Sequence, residues 1–257
     1  MNPSLSPLDR HFILPSIRRV GPARIRSWLR AGWGDLCANP IASLAYGLLF
    51  AIAGDIILLF AMRSAHLFTA AISGFFLVAP LLAGGLFEIS RRQESGKKST
   101  FIDSLAGWHR NGQSVAMLGL ALALVGIAWE RLSALLFALL APDVSPDIDA
   151  FVTAILSSRD YRSLISIWLI SGAGVAMLVF SVSAISAPLL VDRQLDFATA
   201  TMTSLRAVAL NLEVMVLWAA LIVLLTLAGF ATLLFGLIVV MPLLGHASWH
   251  AYRDLVE

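Results

Sequence analysis

Val214-Met215-Val216-Leu217-Trp218-Ala219-Ala220-Leu221-Ile222-Val223-Leu224-Leu225-Thr226-Leu227-Ala228-Gly229 is apolar all the way round any helix it could form, and no Asp, Glu, Lys, Arg or His occurs from Val214 to Gly245. A helix at a water-facing surface keeps one polar face, whereas one greasy on every side is buried or crosses a bilayer. Its length matches the roughly 17 to 25 residues that a transmembrane helix needs. The whole chain agrees: of 257 residues 59% are hydrophobic and 13% charged, about half the usual share of roughly 25%. Mean hydropathy is +0.85. This balance excludes a disordered chain, a disulfide-stapled secreted domain and most cytosolic enzymes.

Working outward, six apolar runs are predicted to cross the membrane, near 41–62, 68–88, 113–138, 164–191, 212–229 and 231–249. The expected fold is all-α, a polytopic six-helix transmembrane bundle. The organisation read from it is a cytoplasmic arm over 1–38 with an interfacial helix, a membrane domain over 39–251 with an outer loop near 141–163, and a cytoplasmic tail over 252–257. The first apolar run begins near Ile41, later than a secretory leader would place it, so the N-terminus is expected to be retained. Arg24 to Cys37, with Ile25, Trp28, Leu29 and Trp33 set against Arg24, Arg26 and Arg30, reads as an amphipathic helix in the headgroup region.

Charge asymmetry sets the expected orientation. Arg10, Arg18, Arg19, Arg24, Arg26 and Arg30 precede the first run against Asp9 and Asp35; Arg91, Arg92, Lys97, Lys98 and Arg110 face Glu88, Glu94 and Asp103 in the link from 88 to 111. Both segments are expected inside. Arg131, Arg159 and Arg162 are outnumbered by Glu130, Asp143, Asp147, Asp149 and Asp160 around the third link, which is expected outside. Both termini are then cytoplasmic. The net charge of +2 is no nucleic-acid signature, and the lone Cys37 fits a reducing compartment.

A recurrence suggests three helical-hairpin repeats with inner-face amphipathic helices. Asn39, Asn111 and Asn211 precede the odd-numbered runs, and the even-numbered runs end in Pro80-Leu81-Leu82, Pro188-Leu189-Leu190 and Pro242-Leu243-Leu244. Each asparagine is a competent helix N-cap, and each late proline removes an amide donor and kinks its helix. Four residues after the prolines stand Gly84, Asp192 and His246, and eight after stand Glu88, Asp196 and His250. Offsets of four share a helix face, so these groups are expected to gather at one depth near the cytoplasmic boundary.

The candidate site therefore comprises Glu88, Asp192, Asp196, His246 and His250, with His109 nearby. Imidazole and carboxylate suit zinc, iron, nickel or manganese, which makes His246, His250, His109, Glu88 and Asp192 the weak metal candidates. His246-Ala247-Ser248-Trp249-His250 lacks the glutamate of a His-Glu-x-x-His protease helix, and two histidines four apart cannot supply both axial ligands of one haem. No catalytic residue is singled out and no cofactor is predicted; a lipid, or less readily a transition metal or haem, is the ligand such a cluster could hold. Asp55, inside the first run, is expected to face the bundle, to be protonated, or to lie nearer the outer surface than the run's limits imply. The loop from Glu94 to Thr100 lacks phosphate-loop spacing, so Lys97 and Lys98 read as contacts to anionic lipid.

Asn39-Pro40-Ile41-Ala42-Ser43-Leu44-Ala45-Tyr46-Gly47, Glu88-Ile89-Ser90-Arg91-Arg92 and the segment from Pro242 to Asp254 together resemble a bacterial inner-membrane family catalogued as domain of unknown function two-one-eight-nine. The resemblance extends over roughly 39–255, with the C-terminal segment its most specific part, and implies a bacterial cell inner membrane location. It implies no catalytic residue. The function expected is a non-enzymatic accessory, assembly or interaction protein associated with a larger membrane complex. Its partners would be membrane lipids and another membrane subunit or a second copy of the chain, with no nucleic acid. The alternative is a small-solute or ion transporter or channel, and a metal- or haem-binding membrane enzyme comes third.

Overall fold

The computed structural model describes residues 14–61, 83–140 and 159–257. All the regular structure there is helical apart from one antiparallel bridge, Ile17 to Val256. In chain order the helices are α1 (Arg24–Ala38), α2 (Pro40–Ala61), α3 (Gly84–Glu94), α4 (Phe101–Ser104), α5 (Ala106–His109), α6 (Gly112–Leu140), α7 (Arg159–Ser183), α8 (Ser186–Asp192), α9 (Phe197–Leu210), α10 (Leu212–Ala231) and α11 (Leu237–Leu255).

Three helical stretches are long and apolar enough to cross a membrane: α6, the α7–α8 stretch Tyr161–Asp192, and α10. They coincide with the third, fourth and fifth expected runs. A fourth crossing arises if α1 and the Pro40–Asp55 part of α2, bent by 106° at their junction, count as one broken span. The expected six-helix bundle is therefore corrected to three, or up to four, crossings among the described residues.

The sixth run fails for a physical reason. Residues 232–236 are a turn, with Leu233 and Leu234 at φ 52° and 67°, so the run is not continuous. Beyond it only Leu237 to Gly245 is uninterruptedly apolar before His246. Nine residues rise about 13 Å, less than half of the roughly 30 Å hydrocarbon thickness. The second run, 68–88, lies outside the described residues up to 82, and its last part belongs to α3, a separate charged helix. Most of the outer loop expected near 141–163, with its short helix, also falls outside them.

The hairpin repeat is likewise not the fold, because the segments following the prolines diverge. Pro188 has no N–H to offer the Ala184 carbonyl, and the helix breaks at residues 184–185, resumes as α8 and ends at Asp192. Pro242 sits inside α11, which continues to Leu255. Pro80 lies outside the described residues.

α11 is the spine of the polar end. It packs along α1 and α2, and both contacts depend on glycine. A Cβ on Gly32 would stand 2.6 Å from the Ala247 backbone nitrogen, and one on Gly47 would stand 1.9 Å from the Ile238 carbonyl oxygen. Backbones this close gain the dense van der Waals contact that drives helix association in lipid. The largest fully buried side chains, Trp28, Trp218, Trp249 and Tyr252, join α1, α10 and α11 into one core. Trp28 meets Trp218 edge to face at 5.7 Å between ring centres.

Candidate functional site

The polar groups at this end fall into separate, internally closed clusters. Glu88 on α3 is fully buried and accepts from three guanidiniums: Arg91 through Nε and Nη2 at 2.7 and 2.8 Å, Arg92 Nε at 2.9 Å and Arg110 Nη2 at 3.2 Å. Positions three and four along a helix stack, which brings Arg91 and Arg92 back over it. Burial alone would raise the Glu88 pKa, but the hydrogen bonds from Arg91 and Arg92, with the charges of Arg91 and Arg110, hold it below the usual carboxylate range.

His246 on α11 is also fully buried. Its Nε2 lies 2.9 Å from the Ser43 hydroxyl of α2 and its Nδ1 lies 2.8 Å from the Ser90 hydroxyl of α3, so one ring ties three helices together. Burial, opposed by the nearby Asp35 charge, lowers its pKa to about 4, which keeps it neutral at pH 7. One turn on, His250 Nε2 lies 2.8 Å from Asp35 of α1.

Asp192, at the end of α8, accepts from the Tyr252 hydroxyl at 2.6 Å and lies 3.6 Å from Arg253 and 3.8 Å from Arg193. Burial raises the Tyr252 pKa, and the hydrogen bond to Asp192 and its charge push the same way. Arg253 bridges on to Glu94 at 3.2 Å, and Trp249 Nε1 donates to Glu94 at 2.9 Å. Asp254 accepts from Arg24 at 2.6 and 2.7 Å and from the buried Trp28 Nε1 at 2.9 Å. Burial raises its pKa, yet those hydrogen bonds and the charges of Arg24 and Arg18 hold it low.

The remaining sequence candidates do not join one site. Because the helix after Pro188 ends at Asp192, Asp196 is not on its continuation; it is exposed and caps α9, accepting from Thr199 N at 2.9 Å and Thr199 Oγ1 at 2.6 Å. Those bonds hold its pKa below the usual range. The expectation that the residues eight past each proline gather on one face fails at this position. His109 is exposed at the end of α5. Asp55 is exposed on α2, fifteen residues past Pro40, about 22 Å along the axis at 1.5 Å per residue.

The three asparagines share one job, and it is not the expected side-chain N-capping of the helices they precede. Asn39 donates to Gln93 at 3.0 Å and accepts from Ser99 N at 3.1 Å, fastening the strand of chain that leads into α4. Asn111 donates to the Leu195 carbonyl at 2.7 Å, just before α9. Asn211 accepts from Val20 N at 2.9 Å and donates to the Arg18 carbonyl at 3.1 Å, just before α1. Each asparagine thus clamps backbone that would otherwise leave polar groups unpaired near lipid.

These bonds leave no ligand set for a metal. Both His246 nitrogens are taken by serine hydroxyls, and among the described residues no group of three or more His, Cys, Asp or Glu is placed to hold an ion. The metal and haem candidates among His246, His250, His109, Glu88 and Asp192 therefore do not fit. Nearer the membrane interior, an apolar cavity of about 370 Å³ opens between α7, α10 and α11, lined by residues such as Ala176, Phe180, Ala219, Val223 and Met241.

Sequence reasoning missed Ser43, Ser90, Asp35, Arg24, Trp28 and Tyr252 as members of these clusters. For Glu88 the signal was present, since arginines at i+3 and i+4 are its natural partners. For Asp254 and Trp28 none was, because they are 226 positions apart in the chain.

The crossings and the polar end define a multi-pass α-helical membrane protein. Over residues 67–192 the chain matches the family described as predicted integral membrane protein (DUF2189). No curated protein and no solved structure matches it. The matched range includes Glu88 to Arg92, whereas the resembling segments 39–47 and 242–254 lie outside it.

Proposed function

We propose that the chain is a non-enzymatic accessory or assembly protein of a bacterial inner membrane. Its termini and polar cluster face the cytoplasm, and it works by holding another membrane subunit or a second copy of itself. The observation that carries this reading is that the buried charges and imidazole at the inner end are each engaged by another side chain of the same protein. A catalytic or transport site keeps reactive groups aimed at a cavity, with perturbed ionisation and room for a ligand. Here Glu88, His246, Asp192 and Asp254 instead fasten α1, α2, α3, α8 and α11 into a rigid base, which is what an assembly surface needs. The transport alternative gains little from the cavity, where Ser183, Thr226 and Ser248 are the only hydroxyl-bearing lining residues among those described.

Purification in mild detergent followed by light scattering tests the reading. A defined homo-oligomer, or a complex of fixed stoichiometry with another membrane chain, supports it. A monomer at every concentration that also binds a small solute saturably contradicts it.

A further inference from the structure

α1 buries Trp28, Gly32, Asp35 and Leu36 against α11 and α10, and turns the opposite stripe outward. That stripe is Arg26, Arg30, Trp33 and Cys37, at spacings of four, three and four, and past the bend it continues to Ile41. Trp33 is 50% exposed and Ile41 87%, so the apolar part is open rather than tucked away. Arg26 and Arg30 are exposed and pair with no carboxylate among the described residues, while the helix's own Asp35 is spent on His250.

Two contacts fix the depth of α1. The segment just before it is tied to Asn211, the residue that opens α10. Trp28 then packs on Trp218, six residues past Leu212, about 9 Å up the crossing helix at 1.5 Å per residue. With α1 bent by 106° from the Pro40–Asp55 part of α2, the helix runs across the end of the spans rather than along them.

We propose that the Arg26–Arg30–Trp33 stripe of α1 is a binding site for the phosphate headgroup of anionic phospholipid, the two guanidiniums gripping phosphate and Trp33 with Ile41 seated at the acyl boundary. Guanidinium matches phosphate oxygens in a two-pronged geometry, and tryptophan prefers the interface where one end is apolar and the other wet. The apolar and cationic groups are complementary to that surface. The site does not depend on the partner proposed above, only on the crossings.

The test uses the full chain in phosphatidylcholine nanodiscs titrated with dansyl-labelled phosphatidylglycerol, read by energy transfer from tryptophan. Wild type is expected to bind it saturably and to prefer it to dansyl-phosphatidylcholine. Each arginine near an anionic surface contributes about five-fold, so Arg26→Gln with Arg30→Gln is expected to weaken binding about 30-fold. Arg26→Lys with Arg30→Lys retains most of it, and Arg131→Gln at the far end of α6 leaves it unchanged. Neither substituted arginine has a side-chain partner among the described residues, so the variants are expected to keep the wild-type fold, checked by gel filtration and circular dichroism. Equal affinity of the glutamine pair and wild type, equal affinity for the two lipids, or full competition by millimolar inorganic phosphate would overturn the proposal.

Discussion

Replacing Glu88 by glutamine keeps the side chain's volume and removes its charge, which isolates what the carboxylate does for the inner base. In the native protein this fully buried group is the counter-charge of Arg91, Arg92 and Arg110, whose side chains are 24 to 28% exposed. Breaking a fully buried pair typically costs about 3–5 kcal/mol, because the remaining charge is left uncompensated. The arginines reach water, which screens them, so the expected loss is about 3 kcal/mol. For a chain of this size that corresponds to a fall in Tm of roughly 6–12 °C. Tryptophan fluorescence in detergent, heated at fixed pH, reads it. The folded-state pKa of Glu88 lies below the 4.5 of a free side chain, so its contribution is complete above about that pH and fades as pH drops further through the lowered folded value. The gap between wild type and Glu88→Gln is thus predicted to be constant from pH 6 to 8 and to close in acid. A variant melting within about 1 °C of wild type at pH 7, or a gap unchanged at the acid end, would refute the reasoning.

His246 has its own acid signature. Its folded pKa is about 4 against 6.5 for the free group, so stability is complete above 6.5 and falls towards pH 4 by on the order of 3 kcal/mol; His246→Gln should remove that slope between pH 6.5 and 5, and a slope that persists in its melting curves assigns it elsewhere. Gly47→Ala puts a methyl 1.9 Å from the Ile238 carbonyl, whereas Gly126→Ala meets nothing within 4 Å; the first should melt many degrees below wild type and the second within about 2 °C, and equal melting would deny the close α2–α11 contact. Asn211→Ala leaves Val20 N without its acceptor and should cost about 1–3 kcal/mol, with faster hydrogen exchange at residues 18–20; unchanged exchange there would show that the clamp is not formed in the protein.

The apolar crossings were legible because hydropathy integrates over a whole helix. α6, the α7–α8 stretch and α10 stand where the greasy runs are, since a segment apolar all round forms a helix that is buried or crosses lipid. α11 was misread for the converse reason. Its apolar start joins smoothly onto the preceding run in the sequence, and only the backbone shows the turn at 232–236 and the polar half buried against α1. The recurring asparagines and prolines were real signals attached to the wrong unit. Asn39, Asn111 and Asn211 do act alike, but on backbone elsewhere in the chain rather than within a repeated hairpin.

The candidate site divided along the same line. Glu88 and its arginines lie within one helical turn and could be read, whereas His246 meets Ser43 and Ser90 across 203 and 156 positions. Periodicity along one element carries no record of such contacts. The inference that all the polar groups share one face assumed a helix continuing eight residues past Pro188, and the end of α8 at Asp192 is what broke that assumption at Asp196.

Cysteine accessibility across sealed membranes tests the central claim most directly. In a Cys37→Ser background, single cysteines at Ser95, Arg193 and Arg131 are treated with a membrane-impermeant maleimide in vesicles of each orientation. Ser95 and Arg193 flank the polar base, and Arg131 lies nineteen residues beyond the start of α6, about 28 Å along the helix at 1.5 Å per residue. The predicted result is labelling of positions 95 and 193 from one side and of 131 from the other. Labelling of 95 and 131 from the same side would contradict the account.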